Sequence, residues 1–179
     1  MRWKVDHKSD RDYWLDLVLV FFVVSMMGWI WEVVLILVQS GDLTNRGVLH
    51  GPWLPIYGSG GVLMIWMKER LPGKWWVFFL SSMAACGVVE YIVSWVLEQI
   101  YHTRWWDYTS MPINLNGRIC LSGLLVFGLG GLFLVYLLYP RLKRLFSRIP
   151  QKNKKVIAFC LGGLFCIDTV YSLAFPNML

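Results

Sequence analysis

Acidic and basic side chains are scarce in this chain, and several stand inside apolar runs long enough to cross a bilayer. Glu32, Glu90, Glu98 and Asp168 lie within or at the end of such runs, and Arg118 opens another. A charge at membrane depth is costly, so such residues face other protein or a wet cavity and mark a binding site or an ion path. The guanidinium groups of Arg46 and Arg118 suit carboxylate or phosphate, because their fork is planar and bidentate. The four carboxylates would balance them or carry protons or cations. Tyr57, Asp107 and Asn116, in Gly- and Pro-rich connections, add a hydroxyl, a carboxylate and an amide. Glu32, Arg46, Tyr57, Glu90, Glu98, Asp107, Asn116, Arg118 and Asp168 are therefore the candidate substrate-binding residues. Arg118 is expected to pair with Glu32, Glu90 or Asp168, in one charge-compensated cluster. Glu98→Gln alone is expected to be mild, because that residue lies nearest the surface.

Helical spacing groups these residues further. Glu90, Ser94 and Glu98 recur at four-residue steps and share one helix face, with Cys86 and Gly87 below them. Ser25, Gly28, Glu32 and Gln39 form a similar stripe, Asp168 has Tyr171 and Ser172 three and four positions on, and Arg118 has Ser122 one turn away. Other chemistries lack their signatures. Gly58-Ser-Gly-Gly61 is followed by no Gly-Lys-Ser/Thr, so it is no phosphate loop. His7, His50 and His102 lack paired ligand spacing, so neither a metal site nor a cofactor is expected. Cys86, Cys120, Cys160 and Cys166 sit in or beside apolar runs without CxxC pairing. No catalytic residue can be assigned.

The elements that position these groups are membrane helices. Of 179 residues, 57% are hydrophobic and only 16% charged, against roughly 25% charged in a soluble domain. Mean hydropathy is +0.53. Eleven Trp suit a bilayer protein, since indole settles at the headgroup level. About 20 apolar residues cross a hydrocarbon core of roughly 30 Å. Four stretches qualify: Leu17–Val38, Trp75–Leu97, Leu121–Tyr139 and Val156–Phe175. The first is too long for a signal peptide and reads as a retained helix. A fifth, ending at Met67, is interrupted by Pro52 and Pro55 and reads as broken or partly re-entrant. The fold expected is all-α, a single transmembrane domain over 1–179 with about five spans.

Charge placement orients them. Fourteen of the seventeen Lys and Arg lie in the N-terminal arm (1–12), the 68–74 connection or the basic 140–155 loop. The other three, Arg46, Arg104 and Arg118, lie on the alternate side. Lys and Arg accumulate in cytoplasmic connections, which places the N-terminus inside and the C-terminus outside. The net charge of +6 thus orients helices and does not indicate nucleic-acid binding. The basic loop can also meet anionic lipid headgroups. Each half of the chain runs through a helix with a late Glu, a loop with Asn, Gly and Arg, and a returning helix. Asn45-Arg-Gly47 would correspond to Asn116-Gly-Arg118, as in parallel-repeat transporters.

Several motifs together carry a family resemblance. They are Gly28-Trp-x-x-Glu32, Asn45-Arg-Gly47, Gly51-Pro-x-x-Pro-Ile-Tyr-Gly58, Glu90-Tyr91, Leu97-Glu98, Trp106-Asp-Tyr108 and Asn114-Leu-Asn-Gly-Arg-Ile-Cys-Leu121. Over roughly residues 25 to 140 the sequence resembles the small bacterial membrane proteins that carry the family label ABC transporter permease. The resemblance implies a multi-pass protein of the bacterial inner membrane with a role in transport.

The functional expectation is a transporter or substrate-binding membrane protein. Its polar, charge-lined cavity would open to the outer face and take a small polar or anionic solute. The alternatives are a membrane-embedded enzyme or lipid-handling protein acting on an outer-leaflet headgroup, with a carboxylate such as Glu32 or Glu90 as general base, and a membrane subunit of a larger complex. Membrane lipids are expected partners, and an oligomer is compatible with the sequence. An ATPase partner is disfavoured, because one inner connection is about seven residues long and the other is cationic with little apolar face.

Overall fold

The computed structural model describes residues 10–71 and 73–177, with Asp10 and Arg11 as backbone only. Residues 1–9 of the expected cytoplasmic arm, His7 among them, lie outside the described residues. Among the described residues six α-helices follow one another: α1 (Asp10–Ser40), α2 (Pro55–Arg70), α3 (Trp75–Tyr101), α4 (Leu121–Phe133), α5 (Tyr139–Ser147) and α6 (Gln151–Ala174). A π-helical turn, Leu134–Leu138, joins α4 to α5. Pro140 follows one residue after it. Its ring donates no hydrogen bond and crowds the carbonyl four residues back, which accounts for the local widening.

Among the described residues four helical runs are long and apolar enough to cross a membrane: Asp12–Ser40, Trp75–Tyr101, Leu121–Ser147 and Gln151–Ala174. They contain three of the four stretches expected from the sequence and all of the fourth but Phe175. The fifth, α2, has 16 residues, about 24 Å of helix, and is continuous. Its irregularity lies before it, in residues 41–54. Pro55 occupies the first helical position, where its missing N–H would have no intrahelical acceptor. The basic 140–155 stretch is corrected from a loop to two helix ends: α5 runs to Ser147, α6 starts at Gln151, and only residues 148–150 lie between.

The chain forms two compact units, 1–62 with 139–179, and 63–138. In the first, α1 meets the start of α2 at two glycines. A methyl group at Gly28 would overlap the Tyr57 ring, and one at Gly58 would come within 2.6 Å of the Phe21 carbonyl oxygen. Small residues let membrane helices approach closely and gain dispersion contacts that lipid does not supply. The Leu54 N–H donates to the Ser25 carbonyl at 3.0 Å, fastening the chain just before α2. Phe22, Leu49 and Trp53 form a buried core, packed by Phe21, Met26, Leu161 and Phe165.

In the second unit α3 packs along α4 by the same device. Gly87 receives Leu124, Gly128 receives Phe79 and Met83, and Gly131 lies against Ser82 and Met64. α3 ends at His102, whose left-handed backbone (φ 53°) turns its N–H onto the Glu98 carbonyl. Residues 102–120 then form a short excursion carrying the only strands among the described residues. β1 (Asn114–Leu115) pairs antiparallel with β2 (Ile119–Cys120), Asn114 opposite Cys120. The turn is Asn116-Gly117, both with positive φ (54° and 67°), closed by the Arg118 N–H on the Leu115 carbonyl at 3.0 Å. Asn-Gly suits this turn because both central positions need the left-handed region.

Candidate functional site

Each unit gathers its own polar site. In the first, late on α1, Glu32 receives two donors. Arg46 Nε reaches Oε2 at 3.2 Å and the Tyr57 hydroxyl reaches Oε1 at 2.8 Å. Arg46 comes from the irregular 41–54 segment and Tyr57 from the first turn of α2. The Arg46 and Glu32 side chains are 19% and 28% exposed. The segment that delivers Arg46 is held by polar contacts, since its backbone has no ladder of its own. Trp29 Nε1 donates to Asn45 Oδ1 at 2.6 Å, and Asn45 Nδ2 donates to the His50 carbonyl at 3.0 Å. Asn177 donates its amide N–H to the Val48 carbonyl and its side chain to the Gly47 carbonyl.

Asp168, on α6, serves the same segment. Its Oδ2 accepts from the Gly51 N–H at 2.9 Å and from Trp53 Nε1 at 2.7 Å. Its Oδ1 accepts from the His50 N–H at 3.1 Å and the Ser172 hydroxyl at 3.2 Å. His50 Nδ1 lies 2.9 Å from the same hydroxyl. Trp53 joins this polar anchor to the apolar core, as its ring packs edge-on against Phe22 and Phe165. Four donors on one carboxylate make Asp168 the clasp that fixes residues 50–53. His50 and Trp53 were not expected at a site. Asp168 itself was the signal, because a carboxylate on a membrane helix requires donors from somewhere.

In the second unit the carboxylate that gathers the arginines is Glu98. Arg104 Nε reaches its Oε1 at 3.0 Å, and an Arg118 terminal nitrogen bonds its Oε2. A second Arg118 nitrogen donates to the Ser94 hydroxyl at 3.2 Å, and the guanidinium lies 5.7 Å from the Tyr91 ring centroid. Arg118 is buried and Glu98 about a quarter exposed. Arg118 was expected to pair with Glu32, Glu90 or Asp168; its partner is Glu98, because the 114–120 hairpin folds back over the last turn of α3. Glu90, deeper on that face and buried, accepts from the Tyr108 hydroxyl at 3.3 Å. Asn116 donates to the Tyr91 hydroxyl at 2.8 Å. Arg104, also unforeseen, had one signal: a cation just past a helix ending in Glu98.

The rest of the excursion is tied down around Gly117. Trp106 Nε1 donates to the Arg118 carbonyl at 3.1 Å and the Tyr108 N–H to the Gly117 carbonyl at 2.8 Å. Asp107 accepts from the hydroxyl and the amide of Thr109, with Arg104 3.8 Å away. The Thr109 hydroxyl, then its N–H, and the Arg104 charge hold the Asp107 carboxyl below its ordinary value. The hydrogen bond to Glu98 raises Arg104. Among the described residues no group of His, Cys, Asp and Glu is placed to hold a metal ion.

Long apolar helices packed through glycines, with carboxylate–guanidinium pairs at their polar ends, define a multi-pass helical membrane protein. The chain belongs to the family described as "Putative ABC-transporter type IV", whose model matches residues 19–173. That stretch contains all nine candidate residues. No curated protein and no solved structure matches the chain.

Proposed function

We propose that the chain is a transport protein of a bacterial inner membrane, oriented with its N-terminus inside. In this reading it binds a small polar or anionic solute from the outer face. The observation that carries it is the Glu32–Arg46–Tyr57 group. Its ion pair is neither buried nor free in water, at 28% and 19% side-chain exposure. An incoming carboxylate or phosphate can take the Arg46 fork while Tyr57 keeps its hydrogen bond to Glu32. Glu98, Arg104 and Arg118 form the corresponding exchangeable group of the second unit, lined by Glu90, Asp107 and Asn116. Asp168 acts by positioning the segment that presents Arg46.

The family name raises an ATPase partner. Against one docking on the inner connections stands their brevity: α2 and α3 are joined by residues 71–74, and α5 and α6 by 148–150. We read the chain as working without that coupling, in one membrane domain.

The test is direct binding and flux. Purified protein in liposomes, without ATPase, is offered a panel of small carboxylates and phosphate esters. Arg46→Lys should weaken binding about tenfold or more while leaving the melting temperature nearly unchanged, because the charge survives and the planar fork does not. In a background lacking the native cysteines, a cysteine placed at Gly41, at Tyr108 or after Asn177 should label from outside, and one at Gly73 should not. A panel that neither binds nor moves would overturn the reading, as would external labelling at Gly73.

A further inference from the structure

We infer that the end of α5 and the start of α6 form a binding site for anionic phospholipid headgroups, distinct from the solute-binding groups. The run Leu121–Ser147 has 27 residues, about 40 Å of helix against a hydrocarbon core of roughly 30 Å. Its surplus of about seven residues is Arg141–Ser147, which places them at headgroup level. There α5 is two-faced: Tyr139, Leu142 and Phe146 are buried, while Arg144 and Arg148 are exposed. α6 brings Lys152 and Lys155, also exposed, to the same level, since its apolar run begins at Val156. Leu145, 54% exposed on the cationic face, can enter the acyl boundary beside them.

The arrangement is held in register from α1. Lys154 is buried and pairs with Asp16 at 2.7 Å, and Gln151 donates to Asp12 at 2.6 Å. One lysine is thus used to lock α6 to α1, and its neighbours Lys152 and Lys155 turn outward. Basic residues at a membrane surface gain roughly 1 kcal/mol each from anionic lipid. Arg144, Arg148, Lys152 and Lys155 flank the 148–150 connection between α5 and α6, so anionic headgroups at that level face a concentration of cations. Arginine adds a bidentate fork for their oxygens.

Trp14 supplies a reporter: it is 63% exposed on α1, between Asp12 and Asp16, which hold α6. The full chain is reconstituted in phosphatidylcholine vesicles containing brominated phosphatidylglycerol or brominated phosphatidylcholine. The quenched emission that Trp14→Phe removes is then followed. The anionic lipid should quench that component with several-fold higher apparent affinity, and 1 M salt should abolish the preference. Arg148→Gln with Lys152→Gln should remove most of that preference, since each cation is worth up to about fivefold; Arg148→Lys should keep most of it. If the double variant does not fold, the salt series on the unaltered chain decides. Equal quenching by the two lipids, a preference unmoved by salt or by the double variant, or a preference abolished by millimolar inorganic phosphate would overturn the inference.

Discussion

Arg118 and Glu98, twenty residues apart in the chain, form an ion pair that closes the 114–120 hairpin onto the last turn of α3. The pair is lopsided in burial. Arg118 is 9% exposed at its side chain and Glu98 27%, and Ser94 takes a further N–H of the guanidinium. Removing the carboxylate therefore strands a buried cation, while removing the arginine leaves a carboxylate that Arg104 still holds.

That asymmetry sets the first prediction. Glu98→Gln should lower the melting temperature in detergent by about 5 °C or more, more than Arg104→Ala does. Arg118→Ala combined with Glu98→Gln should be less damaging than the sum of the two single changes. Strict additivity in this cycle would mean that the pair has no energetic role.

Asp168→Asn tests the clasp. The amide keeps the shape but has one acceptor oxygen for four donors, so buried N–H groups lose partners at about 1–3 kcal/mol each. A total of about 2–4 kcal/mol is expected, with faster hydrogen exchange at residues 48–54 and no change in the 104–120 excursion. Exchange spreading evenly over the whole chain would argue against a local clasp.

A pH series tests the bonds on Asp107. Its folded carboxyl titrates below the ordinary value of 3.8, so the unfolded segment binds protons first as the pH falls. The contribution is therefore complete above that value and is lost as the pH drops through the folded one. Hydrogen exchange at Thr109, whose amide donates to Asp107, should stay constant from pH 7 to about 5 once corrected for intrinsic rates. It should accelerate only in stronger acid, and Thr109→Val should shrink that acid-linked loss, because the folded carboxyl then moves back toward its ordinary value. Opening near neutrality would place the controlling group elsewhere.

Gly58→Ala should be among the most damaging single-methyl additions in α2. The new carbon would sit 2.6 Å from the Phe21 carbonyl oxygen, and backbone cannot swing aside as a side chain can. A loss of about 2–3 kcal/mol is expected, measurable by thermal unfolding in detergent. Gly162→Ala on α6, which meets nothing within 4 Å, should be tolerated. Equal stability of the two variants would show that α1 and α2 do not approach as closely as described.

The amino-acid sequence by itself determines the spans, because crossing a bilayer is a question of how many consecutive residues are apolar, and that is a local property. The Asn116-Gly117 turn is a local property as well, since its dihedral demands fall on two adjacent residues, but the two short strands it joins were not expected. It was also possible to see that intramembrane carboxylates and the arginines near them must be satisfied by something. Which partner each one takes was decided only by tertiary structure. Glu98 outcompetes Glu90 for Arg118 because a two-residue turn at 116–117 sets how far the hairpin folds back over α3. Asp168 clasps His50, Gly51 and Trp53 across more than a hundred residues because α6 lies beside α1 and the 41–54 segment, a neighbour relation that no periodicity encodes. Composition fixes how many charges the membrane segments must shelter. Helix rotation and loop closure, which sum many weak contacts over the whole chain, select the pairs.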